Sequence, residues 1–235
     1  MRNLSLLIFI ISTALIMSHG CASKISYVFD IDGNRYSTIL IGNQEWLKEN
    51  LRTTRFHDGS SIPEVIDQTE WRHIDTPAFV WYENDSNHKD PYGALYNWYA
   101  VDSRNDLCPE GWRVATDKDW KELEEYLGMA PEEIDGTAMR GEEEGGKLKE
   151  AGYEKWGRPN IGATNESGLS IIPSGRRATT GFFIGLYSGG TIWTSTESSL
   201  ASACYRHFAT GSAQIGRNPE GDKKLGLAVR CIRID

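Results

Sequence analysis

The chain has 235 residues, a formal charge of −8 at neutral pH, and eight tryptophans beside ten tyrosines. That length suits one domain. An acidic chain with no long basic run excludes nucleic acid and anionic lipid surfaces as partners.

Residues 4–17 form an apolar run with Arg2 as the only charge ahead of it. The run is too short to span a bilayer comfortably and matches the core of an export signal. It ends in Ser18-His19-Gly20-Cys21, which resembles a bacterial lipobox whose cysteine becomes the lipidated N-terminus; ordinary cleavage is the alternative. The expectation is a signal segment over 1–21, Cys21 as the lipidated residue, and an outer-membrane lipoprotein facing the periplasm or the cell exterior. Two or three acyl chains anchor stably at about 0.8 kcal/mol per buried methylene. Residues 22–26 are then a tether that keeps the domain, 27–235, within ~20 Å of the membrane.

Residues 27–36 read as strand, turn, strand, because Asp32-Gly33-Asn34 is hairpin chemistry. Asp30, Asp32 and Asn34 echo half of a calcium loop, but Gly33 comes too early and no glutamate closes it, so a turn is the reading. The strand runs on to Ile41, turns at Gly42-Asn43 and resumes over 44–47. Residues 52–76 are polar and irregular. Residues 79–82 are a short apolar strand or core segment, and the aromatic stretch 92–100 is core.

Pro109-Glu110-Gly111 is a turn. Thr116 and Asp119 form a capping box at the start of the best helix in the chain. Trp120, Leu123 and Leu127 give that helix one apolar stripe, and Gly128 closes it. Short helices are expected over 131–134 and 147–151. Strands are expected over 169–172, 191–195, 204–209 and 225–234, the last half-buried with Leu227, Val229 and Cys231 inward and Arg230 and Arg233 outward. Glu142-Glu143-Glu144 reads as a solvated loop and Asn218-Pro219-Glu220 as a turn. One α+β domain accounts for the pattern. Setting Cys21 aside leaves Cys108, Cys204 and Cys231, enough for one pair and one thiol. The expected pair is Cys108–Cys231, with Cys204 a buried thiol or a partner that displaces one of the others.

Several stretches carry a family resemblance. They include Asp30-Ile-Asp-Gly-Asn-Arg-Tyr36, Ile41-Gly-Asn-Gln-Glu-Trp46, Tyr92-Gly-Ala-Leu-Tyr-Asn-Trp-Tyr-Ala100, Cys108-Pro-Glu-Gly-Trp112, Gly145-Gly-Lys-Leu-Lys-Glu150, Gly162-Ala-Thr-Asn-Glu-Ser-Gly168, Trp193-Thr-Ser-Thr-Glu197 and Val229-Arg-Cys231. In this order they resemble the Fibrobacter succinogenes major paralogous domain family of envelope proteins. Ala115 stands where that family usually has proline, and Ile192 where it often has tryptophan. The resemblance implies a C-type-lectin-like domain: an antiparallel sheet with flanking helices, long irregular loops, paired terminal strands and a helix-to-last-strand disulfide. It implies no settled activity.

No catalytic motif stands out. The five histidines fit no zinc spacing, and nucleophile-elbow, phosphate-loop and dinucleotide patterns are missing from the sequence. Lectin calcium triplets are missing too. No cofactor and no metal is expected. Glu166 and Glu197 could serve as a glycosidase pair, but capping of loop backbone is the favoured role. Trp46, Trp98, Trp112, Trp120 and Trp193 sit in patterned elements and should be core; Trp71, Trp81 and Trp156 lie in or beside loops and are surface candidates for stacking on a sugar. With Glu166, Glu197 and Arg206 they make the candidate ligand set. The expected function is non-catalytic binding of a polysaccharide or another envelope protein. An envelope enzyme acting on glycan through Glu166 or Glu197, and a structural part of a surface assembly, are the alternatives.

Overall fold

The computed structural model describes residues 26–234; the signal segment 1–21 with Cys21, tether residues 22–25 and Asp235 lie outside it. β1 (Tyr27–Phe29), β2 (Arg35–Ile41) and β3 (Gln44–Leu47) form the expected meander. Its first turn is closed by Asp30, whose Oδ1 accepts the Asp32 and Asn34 amides at 3.0 and 2.9 Å. Oδ2 of Asp30 accepts the Tyr36 hydroxyl at 2.6 Å.

The stretch 52–76 is not wholly irregular. It contains α1 (Gln68–His73), capped by Asp67, which accepts the Glu70 amide at 2.7 Å. Trp71 is the helix's single buried side chain, so no repeating apolar stripe marks it in the sequence. β4 (Phe79–Val80) pairs with β5 (Leu95–Tyr96), with α2 (Lys89–Tyr92) between them. α3 (Trp98–Val101) follows, capped by Asn97.

β6 (Trp112–Val114) begins where the 109–112 turn ends, the Trp112 amide donating to the Pro109 carbonyl at 2.9 Å with Gly111 at φ +79°. α4 (Asp117–Tyr126) carries the full capping box: Thr116 Oγ1 accepts the Asp119 amide at 3.1 Å, and Asp119 Oδ2 accepts the Thr116 amide at 2.6 Å. Trp120 and Leu123 are buried as the stripe requires. Residues 131–135 make turns bonded i to i+3 in place of a helix, because Gly136 ends the stretch before an i to i+4 ladder can build.

β7 (Ala138–Arg140) precedes α5 (Glu144–Leu148), which starts three residues earlier than expected. Gly145 and Gly146 lie inside this helix because a Cβ on either would run into the backbone carbonyls of Gln214 and Gly162. Lys149 turns extended and ends it. Glu144 is buried, so only Glu142 and Glu143 of the acidic triplet are solvated. Residues 169–172 are not a strand; Ile171 makes one isolated bridge to Lys149.

β8 (Ser174–Arg177) and β9 (Phe183–Leu186) form a hairpin, followed by β10 (Gly189–Glu197), β11 (Ser202–Ala209) and β12 (Ile215–Asp222). Asn218-Pro219-Glu220 is strand within β12, not turn. The register shifts between Ala203 and Tyr205 on β11, a local irregularity that accommodates a proline with no amide to donate. β13 (Ala228–Val229) and β14 (Cys231–Arg233) finish the chain.

The result is a mixed α+β domain with mostly antiparallel sheets and few helices. One sheet runs β1-β2-β3-β14-β6, a larger one runs β7-β12-β11-β10-β8-β9 with β13 beside β10, and β4-β5 make a third of two strands. The C-terminal stretch is therefore two strands in two sheets, and Arg230 is the step between them. Arg230 is 1 % exposed, so the expected outward arginine points inward. The Cys108–Cys231 disulfide, Cα to Cα 6.1 Å, ties the segment before β6 to β14, and Cys204 is a free, buried thiol on β11. Trp46, Trp98, Trp112, Trp120 and Trp193 are all buried. The rings of Trp46 and Trp120 lie 5.0 Å apart, and the Trp98 and Trp193 indoles donate to the Thr194 and Tyr96 carbonyls. Among the described residues no helix is long and apolar enough to cross a membrane.

Candidate functional site

Where the chain steps between sheets, it leaves a polar cleft of about 410 Å³. Arg230 is among its lining residues. Its guanidinium donates to Asn50 Oδ1 at 2.7 Å and to the carbonyls of Leu47, Lys48, Leu169 and Ser170. Among the described residues no carboxylate bonds it; burial pulls its pKa down, while Glu49 and Glu150 supply the opposing negative charge. A guanidinium stays protonated at neutral pH regardless. Arg230 thus pins the exit of β3 to the 169–170 loop and sets a fixed charge in the cleft.

One wall comes from β2 and the segment after β3. Ser37 donates its amide and hydroxyl to Glu49 at 2.7 and 2.9 Å. Arg52 donates to the Arg35 carbonyl at 2.9 Å and ion-pairs with Asp90 at 3.3 Å. On the opposite wall Lys155 pairs with Glu150 at 2.8 Å. Lys48 lines the cleft with no bonded partner for its ammonium among the described residues. Five cationic against three anionic side chains leave this cleft two charges positive in a chain that is net −8. Beside it, Tyr27 and Phe29 are directly opposite Ser37 and Arg35 in register, so they share their face. They are 46 % and 60 % exposed, and the Arg35 guanidinium lies 4.6 Å above the Tyr27 ring.

The residues singled out from sequence lie elsewhere. Trp71, Trp81 and Trp156 are not surface aromatics: all three are buried. The Trp71 indole donates to the Lys224 carbonyl at 2.9 Å, with the Arg177 guanidinium 4.5 Å from its ring. The Trp156 indole donates to the Ile171 carbonyl at 2.9 Å, and Trp81 packs edge-on against Phe79. Trp81 and Trp156 pack into the two large core clusters and Trp71 into a smaller one, and the Trp71 and Trp156 indole donors are spent on backbone.

Arg206 is fully buried on β11. It donates to Glu124 at 2.6 Å and Asp117 at 2.7 Å, and Arg140 and Arg217 complete the network. Burial pushes the Asp117 carboxyl up, but Arg217 and Arg206 outweigh it and hold it far below the usual carboxylate range. Its burial keeps the Arg206 guanidinium from any ligand at the surface. Glu197 is exposed and paired with Lys223. Glu166 is exposed in a separate hollow of about 460 Å³ with Glu142 and Glu143. The two glutamates share neither a hollow nor a bonding partner. Among the described residues no group of three His, Cys, Asp or Glu side chains is placed to hold a metal.

The cleft residues Arg35, Lys48, Glu49, Arg52, Glu150 and Lys155 escape sequence reasoning because they sit on separate segments with no common motif. The one local signal is the alternation of β2, which sets Arg35 and Ser37 on one face.

These features define an α+β domain with a charged cleft where its two larger sheets meet. The Fibrobacter succinogenes major domain matches residues 39–233, and the chain belongs to that family. No curated protein and no solved structure matches it.

Proposed function

We propose that this is a non-catalytic glycan-binding domain of an exported, outer-membrane-anchored lipoprotein. The observation that carries the reading is the cleft itself: fixed donors and acceptors on both walls, with two exposed aromatic rings on the adjoining sheet face. A sugar presents hydroxyls that both donate and accept, and a flat apolar face that stacks on aromatics. The cleft carboxylates are each already held by a donor, Glu49 by Ser37, Asp90 by Arg52 and Glu150 by Lys155. That arrangement orients acceptors and suits recognition better than proton transfer. The C-type-lectin-like ancestry rests on the family resemblance; β14 pairs with β3 and β6 and not with β1, and its disulfide leads to a loop residue and not to a helix.

The test is a glycan array followed by calorimetry on the full chain. Binding is expected, and Arg52→Ala should weaken it while Glu166→Gln and Glu197→Gln leave it unchanged. An empty array, or glycan hydrolysis abolished by either glutamine variant, overturns the reading. Anchoring is tested by labelling cells with a radioactive fatty acid: the label should be lost in Cys21→Ala.

A second reading, attachment to an envelope protein, is favoured by the β9 edge. Phe182, Ile184 and Tyr187 are 61 %, 47 % and 52 % exposed there, at the end of the larger sheet. Crosslinking from Ile184→Cys that captures one stoichiometric partner would support it.

A further inference from the structure

We infer that the cleft selects acidic over neutral glycans, holding a sugar carboxylate or sulfate between Arg35 and Lys48; this rests on the glycan reading of the same cleft. The argument is a sorting of its cations. Arg52 is taken by Asp90, Lys155 by Glu150, and Arg230 by carbonyl groups and Asn50. Two remain. The Lys48 ammonium has no bonded partner among the described residues, and the Arg35 guanidinium meets only the Tyr27 ring there.

Their placement is set by the sheet. The Lys48 amide donates to the Ser37 carbonyl at 2.9 Å, continuing the β2–β3 register, so Lys48 lies across from Ser37 and diagonal to Arg35. Diagonal neighbours in an antiparallel pair are roughly 7–8 Å apart, a gap that long cationic side chains close around one anionic group. The Ser37 hydroxyl between them spends its proton on Glu49, so its oxygen can accept from a sugar hydroxyl but donates nothing to the acid.

A neutral sugar covering these cations would strip their water and return no counter-charge, a cost that falls on affinity. An acidic sugar returns that charge as charge-assisted hydrogen bonds. Tyr27 and Phe29, on the same face as Arg35, then offer the stacking surface for its ring.

The experiment measures binding of the full chain to oligogalacturonate, to the same oligomer as its methyl ester, and to a sulfated galactan oligomer free of carboxylate. The acidic forms are expected to bind at least about tenfold tighter than the ester and to weaken with salt. Lys48→Gln and Arg35→Gln should each lower acidic-oligomer affinity roughly tenfold and leave the ester unchanged, while Lys48→Arg restores it. Melting curves of these surface variants should match the parent. The sulfated arm tells which acid the cleft takes. Equal affinity for acid and ester overturns the selectivity while the glycan reading stands. Tight acid binding untouched by both glutamine variants overturns the placement in this cleft. No binding to any oligomer, neutral glycans included, removes the glycan reading as well.

Discussion

Arg206 and Glu124 meet with neither side chain reaching solvent, Nε donating to Oε1 at 2.6 Å. The contact joins β11 to α4, and Glu124 also accepts Arg140 Nη2 at 2.6 Å. One carboxylate therefore neutralises two buried guanidiniums. Removing it leaves Arg140 without an anionic partner and Arg206 with only Asp117, which Arg217 shares. Glu124→Ala should destabilise the domain by about 3–5 kcal/mol in urea unfolding. The exposed Lys118–Glu122 pair on the same helix is the contrast; Glu122→Ala should shift stability by no more than about 0.5 kcal/mol.

Lys149 is a buried ammonium bonded to three carbonyls, those of Ile161, Ala209 and Ser212, at 2.8–3.0 Å. Lys149→Met takes a donor from all three, leaving the Ala209 carbonyl with the Ser212 amide, and should cost about 1–3 kcal/mol at pH 7. Burial also pulls the Lys149 pKa from 10.5 down to about 8. The unfolded chain then keeps a proton that the folded chain releases, so this group's contribution to stability rises with pH between 8 and 10.5. The gap between parent and Lys149→Met should be flat below pH 8 and widen above it, read by denaturant midpoints across that range.

Asp32 works at the other end of the scale. Burial pushes its carboxyl up, but donors from Thr54, Arg55 and Thr53 outweigh this and bring it down to about 2. A depressed carboxylate stabilises above its unfolded pKa and loses that contribution as pH falls. The advantage of the parent over Asp32→Asn should be full above pH 4 and vanish between about pH 4 and 2, followed by thermal melting.

The Cys108–Cys231 bridge spans 123 residues of sequence. Closing so long a loop is worth about 5 kcal/mol in the chain-entropy account. The Cys108→Ala/Cys231→Ala double variant should unfold at a clearly lower guanidinium concentration. Cys204→Ala, which breaks no bridge, should leave the midpoint far closer to the parent's.

Local rules carried the sequence reading where structure is local. The α4 capping box, the 109–112 turn, the meander over 27–47 and the five core tryptophans depend on neighbours a few residues away. The misses share a different cause. Trp71 hides in a helix too short to show a period, and Pro219 sits in a strand that tolerates it through an irregularity on its partner. Arg230 and Lys149 find their acceptors 183 and 63 residues away. Because those acceptors are backbone carbonyls, no complementary residue type betrays them. The cleft is hidden for the same reason: its walls are drawn from residues 35–52, 90–91, 150–155, 170–172 and 230.

β14 is synthesised last of the described strands yet sits between β3 and β6, with Ile232 opposite Trp46. A ribosome must therefore have made residues 231–233 before the smaller sheet can join β3 to β6, and until then β1–β3 wait without a neighbour on that side. A nonsense codon ahead of Cys231 would remove the keystone between two already synthesised strands.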